Sequence, residues 1–385
     1  MDLALTPDEQ AFAEEVRGWL AEHLGEPAGD DLPLAEQVEW GRTWQAQLAA
    51  DRWVGIAWPA EYGGRSASPV EVALFNMEYA RAGAPQPVNR VGINLAGPTL
   101  LAHGTDEQRQ RWLPRILDAS ELWCQLFSEP GAGSDLASLT TRAERATGPD
   151  GEDGWVVSGQ KVWTSYAQFA RWGIGLVRTD PEAAKHRGIS FLVVDMQAPG
   201  VDIRPLRQMT GDSEFSEVFL DEVFVPDAHR IGELHGGWAV AGTTLAHERG
   251  TNFPFKEQVV HETYLDELWT EAARRSRLDD PAVLDGLVQA FVGLRLLRLH
   301  NWRTLSRLGR GLEPGPESSW VKLAWTDMTR DLSATALDVL GAEAPTWGKW
   351  QRQFLWSHAS SIAGGTSEVQ KTIIGERILG LPRGA

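Results

Sequence analysis

The sequence predicts an α+β multidomain protein in which helical segments flank a β domain. Three observations carry this. Residues 1–118 repeat apolar positions at helical spacing, residues 119–230 break into short β-rich runs separated by Gly, Pro and Asp, and residues 231–385 return to long helical runs. At 385 residues the chain is long enough for several domains and a large core. Hydrophobic residues at 42 % and charged residues at 23 % are those of a globular protein, which excludes a disordered chain.

The N-terminal region opens with "TPDEQAFAEEVRGWLAEHL". Thr6 as N-cap, Pro7 at the first helical position and Glu9 three residues after Thr6 form a helix-start signature, and Phe12, Val16, Trp19 and Leu20 continue at helical spacing. The Gly/Pro-rich "GIAWPAEYGGRSAS" breaks the pattern, and "PVEVALFNMEYARAG" and "TDEQRQRWLPRIL" resume it. In the middle region "GWVVSGQKVWTS", "WGIGLVRTD", "ISFLVVDM" and "SEVFLDEVFV" read as strands. From Gly236 onward "LDGLVQAFVGLRLLRLHNWRTLSRLG" and "WVKLAWTDMTRDLSATALDVLG" read as long helices suited to an antiparallel bundle. The loop around Asp150 and the stretch Gly309 to Ser318 are the candidate linkers.

Composition also narrows the function. A net charge of −17 argues against nucleic-acid binding, which rests on basic patches that neutralise phosphates. No hydrophobic run reaches the ~18 residues of a spanning helix, and "MDLALTPDEQ" is acidic where a signal peptide would be basic. The chain therefore reads as cytoplasmic, without a membrane partner. A single cysteine, Cys124, allows no internal disulfide. Eighteen tryptophans are expected to pack cores or line a cavity.

Two segments point to chemistry. In "FSEPGAGSDLASLTTRAER", Gly131 and Gly133 strip side chains from a turn while Ser128 and Ser134 present hydroxyls, so backbone N–H groups are free to hold a flavin edge or a phosphate. In "GQKVWTS", Trp163 precedes Thr164 and Ser165 at a strand end, where an indole either stacks on a flat cofactor or packs a core. Near the C-terminus, "SSIAGGTSEVQ" interrupts a helix-prone segment with Gly364 and Gly365. Each Gly costs about 1 kcal/mol relative to Ala inside a helix, so the pair marks either a helix-to-helix turn or a close backbone approach to a ligand.

"EPGAGSD" and "GQKVWTS" in this order, extended by "LAHERG" and "GGTSEVQ", resemble the acyl-CoA dehydrogenase family over most of the chain. The resemblance implies a helical N-terminal domain (1–118), a middle β-barrel (119–230) and a C-terminal four-helix bundle (231–385). It implies FAD as cofactor and an acyl-CoA thioester as substrate, from which two hydrogens are removed, with an electron-transfer acceptor downstream. By resemblance Phe127, Ser128, Gly133, Ser134, Trp163 and Ser165 line the flavin, Ser134 also approaches the substrate, and Thr366 and Glu368 approach the cofactor. Gln125 departs from the aromatic often found at its position. The reaction needs a base for the α-proton, which a buried carboxylate provides, a hydride acceptor, which the flavin provides, and donors aimed at the enolate oxygen.

Many family members carry the base immediately before the Gly-Thr pair, and here that position is Gly364. Other branches place it before an Arg on the first long helix after the β domain, which here gives Glu248 and Arg249 in "WAVAGTTLAHERGTNF". Trp238, Ala241, Leu245 and Glu248 recur at intervals of three or four, which sets Glu248 close to an apolar face. A bland alternative pairs Glu248 with Arg249 or another basic group. The resemblance further implies that the Gly364 N–H faces the thioester oxygen and that Arg249 lies near the CoA-bearing end of the substrate.

Two motifs with which homotetrameric members reach the neighbouring subunit's FAD are missing. Their places read "YLDELWTEAARRSRLDDPAVL" and "LDVLGAEAPTWGKW". In this the chain resembles catalytic chains of actinobacterial heteromeric dehydrogenases acting on bulky esters such as steroid side-chain intermediates. An oligomer is expected, with a related chain in an α2β2 form, unless Arg274, Arg275 or Arg277 substitutes for the missing contacts. The competing readings are a silent scaffolding subunit, a flavin oxidase or monooxygenase on the same fold, and a carrier-protein thioester in place of CoA.

Overall fold

The structure is a computed structural model and describes residues 5–25, 32–248, 252–308, 310, 312 and 315–382. Its packing divides the chain into two compact units that interleave in sequence. One holds Met1–Gly25, Ala67–Ala84 and Arg249–Ala385, and the other holds Glu26–Ser66 and Pro85–Glu248.

The second unit is built on a mixed sheet of β1 (Trp123–Leu126), β2 (Arg142–Thr147), β3 (Asp153–Ser165), β4 (Trp172–Arg178), β5 (Ile189–Asp195), β6 (Val201–Leu206), β7 (Phe215–Pro226) and β8 (Arg230–Ile231). The order is β6-β7-β3-β2-β4-β5-β8, with β1 added parallel to β4. Its core holds Cys124, Leu126, Trp155, Val157, Leu192, Val218 and Val223. The stretch around Asp150, expected as a linker, is instead the tight turn joining β2 to β3, closed by Gly148 N–H to the Glu152 carbonyl at 2.8 Å. Of the other expected linker, residues 309, 311, 313 and 314 lie outside the described residues.

Helices α2 (Leu34–Ala50), α4 (Gly97–His103), α5 (Asp106–Leu117) and α6 (Gly237–Glu248) belong to the same unit. Asn89, fully buried, ties α2 and α5 to the sheet. Its Nδ2 donates to the Ile116 and Glu121 carbonyls at 3.1 and 3.0 Å, its Oδ1 accepts from Trp123 N–H at 2.9 Å, and its own N–H donates to Gln45 Oε1 at 2.9 Å. Trp112 of α5 packs edge-on against Trp123, Trp172 and His229, so several of the many tryptophans are core.

The first unit is helical: α1 (Pro7–His23), α3 (Pro69–Arg81), α7 (Asn252–Arg274), α8 (Pro281–Leu308), α9 (Glu317–Leu340), α10 (Lys349–Ser357) and α11 (Ser367–Ile373). The capping box expected at Thr6 and Glu9 is present, with Pro7 in the first turn. Leu265, Leu268, Leu287, Leu294, Leu332 and Val339 form the core of α7, α8 and α9. No helix among the described residues is long and apolar enough to cross a membrane. Arg274 and Arg275 both pair with Glu271 at 2.6 Å, Arg275 reaches Glu343 at 2.7 Å, and Arg277 pairs with Asp280 at 2.9 Å. All three arginines are thus engaged within the chain.

Truncating Asn89 would strand the Glu121 carbonyl and the Trp123 N–H, while the Ile116 carbonyl keeps its bond from Gln45 Nε2 at 2.9 Å. Asn89→Ala is expected to lower the unfolding free energy by about 3 kcal/mol, read as a shift of the urea midpoint.

Candidate functional site

The segment Phe127–Leu139 leaves β1 and turns sharply. Glu129 and Ala132 exchange both backbone hydrogen bonds at 3.0 Å, with Pro130 and Gly131 at the corner. Gly131, Gly133 and Ser134 are exposed, and a Cβ built on either glycine would meet open space. The chain runs back alongside β3, where the Ser128 carbonyl accepts Val162 N–H at 2.9 Å.

On β3 the ladder with β7 slips between Lys161 and Thr164, and within this bulge Trp163 has φ +61°. A left-handed conformation is strained for a bulky side chain and costs on the order of 1–3 kcal/mol. The consequence is that the indole is thrown outward, 62 % exposed, with only its edge against Phe215 at 6.2 Å between centroids. Bulges redirect side chains in this way at ligand sites. The next residue, Thr164, is buried, and its Oγ1 has no hydrogen-bond partner among the described residues.

Behind both pieces lies a buried ion pair. Lys161 is wholly inaccessible, and its Nζ donates to Glu129 Oε1 and the Leu176 carbonyl, both at 2.8 Å, and to the Phe127 carbonyl at 3.3 Å. Glu129 also accepts Thr140 N–H at 2.7 Å, Thr140 Oγ1–H at 2.9 Å and Thr141 N–H at 3.0 Å. Burial alone pushes the Glu129 carboxyl up. The Lys161 charge and the donors from Lys161, Thr140 and Thr141 outweigh it and hold the carboxyl down to about 2. Burial likewise pulls the Lys161 ammonium below its ordinary value, with Glu129 opposing. Neither residue stood among the expected site residues, although both lie inside the quoted motifs. The signal was a Glu and a Lys in otherwise apolar, Gly-rich segments.

Helix α6 packs on β5 and α4. Gly237 rests on the backbone of Ser190 and Phe191, where a Cβ would come within 2.5 Å, Thr244 Oγ1 meets Thr99 Oγ1 at 2.8 Å, and Thr243 Oγ1 meets His103 Nε2 at 2.8 Å. Its buried positions are Gly237, Val240, Ala241 and Thr244, so the stripe runs through Val240 and Thr244, while Trp238 and Leu245 are half-buried on its flanks. Glu248 is the last residue of α6 and follows Thr244 by four, the next step along that stripe. The Glu248 side chain and Arg249 lie outside the described residues.

In the other unit, Gly364 and Gly365 have φ +65° and +94°, so the turn itself demands glycine. Thr366 caps α11, its Oγ1 accepting Val369 N–H at 3.2 Å, and Glu368 sits exposed in the first turn. The structure thus groups Ser128, Gly133, Ser134, Trp163 and Ser165 in one unit and Gly364, Thr366 and Glu368 in the other. Phe127 belongs to the same unit as Trp163 and is buried, its ring edge-on against Phe191 with centroids 5.9 Å apart.

The residues present fit FAD. A flat ring with polar edges needs a stacking surface and exposed donors, and the outward indole, the bare glycine backbone and the Ser134 hydroxyl offer these.

Because the folded Glu129 carboxyl lies below its ordinary value of 4.5, its contribution to stability is complete above that pH and is lost as pH falls toward 2. Wild type and Glu129→Gln are therefore expected to converge in acid. The pH-dependent part of their difference, on the order of 3 kcal/mol at pH 6, should shrink in urea titrations at pH 4 and 3.

Family models match the chain in order: "Acyl-CoA dehydrogenase, N-terminal domain" over residues 6–120, "middle domain" over 124–223 and "C-terminal domain" over 235–379. Acyl-CoA dehydrogenase IpdE1 of Mycobacterium tuberculosis is 42 % identical, covering 98 % of this chain and 99 % of that protein. Two solved structures superpose over the full length of both chains: the Tcur3481–Tcur3483 steroid ACAD, with TM-score 0.85 and 29 % identity, and the ChsE4–ChsE5 complex of Mycobacterium tuberculosis, with TM-score 0.83 and 33 % identity. Matched along its whole length, the chain belongs to the acyl-CoA dehydrogenase family, whose members are FAD-dependent oxidoreductases.

Proposed function

We propose that this chain is the catalytic chain of a dehydrogenase that introduces a trans-2 double bond into a bulky acyl-CoA, with Glu248 as the base and a steroid-derived ester as substrate. The observation that carries this reading is α6. It is pinned by Gly237, Thr243 and Thr244 to the same unit as the flavin loop and ends at Glu248, while the family's other base position is a left-handed glycine. FAD, when bound, supplies the acceptor for the β-hydride, chemistry that no side chain offers. Glu248 takes the α-proton, and the Gly364 N–H holds the thioester oxygen as negative charge develops there. Arg249 binds toward the CoA end, and Ser134 and Trp163 orient the reacting groups. Thr366 and Glu368 take cofactor-lining roles. The domains follow the sequence boundaries 1–118, 119–230 and 231–385. The names of the Tcur3481–Tcur3483 and ChsE4–ChsE5 relatives, one a steroid enzyme and both two-chain assemblies, support the substrate class and a related partner chain.

Helix α8 supports assembly as well. Val283, Leu287, Ala290, Leu294 and Leu297 face the bundle core, while Leu284, Val288, Phe291, Val292, Leu296 and Leu299, on the opposite side, are 39–49 % exposed. A helix apolar on both faces belongs in an interior. The partner covers this face in an α2β2 oligomer and completes the FAD site, since Arg274, Arg275 and Arg277 are committed to Glu271, Glu343 and Asp280.

Glu248→Gln is expected to retain FAD and bind acyl-CoA, yet to slow bleaching of the flavin by substrate about 10⁴-fold, the upper end for loss of a general base. Full activity in that variant would end the assignment. Co-expression with a related chain from the same operon should give an α2β2 mass with bound flavin. Phe291→Lys combined with Leu296→Lys should leave the chain folded but unassembled in multi-angle light scattering. A flavin-loaded homotetramer of the chain alone, turning over normally, would contradict the heteromer.

A further inference from the structure

The turn that carries Gly364 is held from behind by a buried lysine to which the reaction as described gives no role. Lys322, on α9, is 8 % exposed, and its Nζ donates to the Ser360 carbonyl at 2.7 Å and to the Gly365 carbonyl at 2.9 Å. Thr326, one turn further along α9 and fully buried, adds Oγ1–H to the same Ser360 carbonyl at 3.1 Å. Gln370, also fully buried, donates Nε2–H to the Gly364 and Gly365 carbonyls, both at 3.3 Å. A Cβ on Gly365 would come within 2.6 Å of that Nε2, so the packing is close.

These contacts fix which way the turn's donors point. In a trans peptide the C=O and the following N–H are antiparallel. The Gly364 carbonyl directed at Gln370 sends the Gly365 N–H away from it, and the Gly365 carbonyl directed at Lys322 sends the Thr366 N–H away from α9. None of the Gly364, Gly365 and Thr366 N–H groups donates to another group among the described residues. Successive free N–H groups in a left-handed turn form an anion-binding concavity. An ammonium on the carbonyl side polarises the Gly365–Thr366 peptide and strengthens its N–H as a donor.

We infer that Lys322 is a positioning residue for the dehydrogenation: it sets the Gly364–Thr366 turn so that its free N–H groups face the thioester oxygen as a rigid, polarised donor set. This rests on the reading that the Gly364 turn receives the thioester. The test uses the assembled, FAD-loaded protein carrying Glu248→Gln, which binds without turning over. The probe is 4-(dimethylamino)cinnamoyl-CoA, a chromophoric enoyl thioester whose absorbance moves to the red when its carbonyl is polarised. With Lys322 present a red shift is expected. Lys322→Met should lose at least about half of it while probe affinity falls less than about tenfold, and Lys322→Arg should recover part of it. With Glu248 restored, Lys322→Met should lower kcat by roughly 10- to 100-fold and leave KM within about threefold. A full red shift in Lys322→Met overturns the role of Lys322 alone. So does an arginine variant as poor as the methionine one, which assigns the loss to packing. No red shift even with Lys322 present overturns the thioester reading, and the proposal with it. Circular dichroism and FAD content certify folding, and Lys322→Gln replaces the methionine variant, with the same outcomes, if that variant does not fold.

Discussion

The Lys161–Glu129 ion pair is the constraint on which the glycine turn and the exposed Trp163 surface depend. One ammonium, fully removed from water, binds Glu129 at the entry to the glycine turn, the Phe127 carbonyl just before it and the Leu176 carbonyl on β4. Burying two ions is costly, and such a pair is tolerable only when its remaining hydrogen-bonding capacity is met. Thr140 and Thr141 meet it on the Glu129 side. An alternative register of β3 would leave a charge unpaired in the sheet interior, so the pair selects one register. Lys161 is the last residue paired with β7 before the bulge, and the strain at Trp163 is held between it and Thr164.

The helical unit uses related physics. Lys322 sits behind a second glycine turn and is met by the Ser360 and Gly365 carbonyls, with Thr326 and Gln370 completing the cradle. In both places the exposed side of the turn is nearly bare backbone and the rigidity comes from a polar side chain buried behind it. This arrangement leaves room for a ligand without giving up geometry, since glycine alone would be loose.

The outer face of α8 shows the other side of the same economy of surface. Its inward residues build the bundle core, and its outward leucines, valines and phenylalanine remain 39–49 % exposed. Arg274, Arg275 and Arg277, before the start of α8, pair with carboxylates of their own chain. Both features suit a chain whose surface is completed by another.

Much of this was legible in the sequence because it is local. Helical and alternating periodicity located α1, α3, α5, α8, α9 and the long strands. The capping box at Thr6 needed only neighbouring residues, and the glycines at 131, 133, 364 and 365 announced turns because glycine's conformational freedom is intrinsic. The motifs also identified the family and its FAD. Long-range pairing was not legible. That Asp150 lies in a hairpin follows from β2 finding β3. The interleaving of α1 and α3 with the C-terminal helices follows from which apolar faces match. The outward throw of Trp163 depends on a slip against β7, and the roles of Lys161, Glu129 and Lys322 depend on partners 32 to 43 residues away. A sequence states which side chains can carry charge, but burial decides which of them must be paired, and burial exists only once the chain has folded.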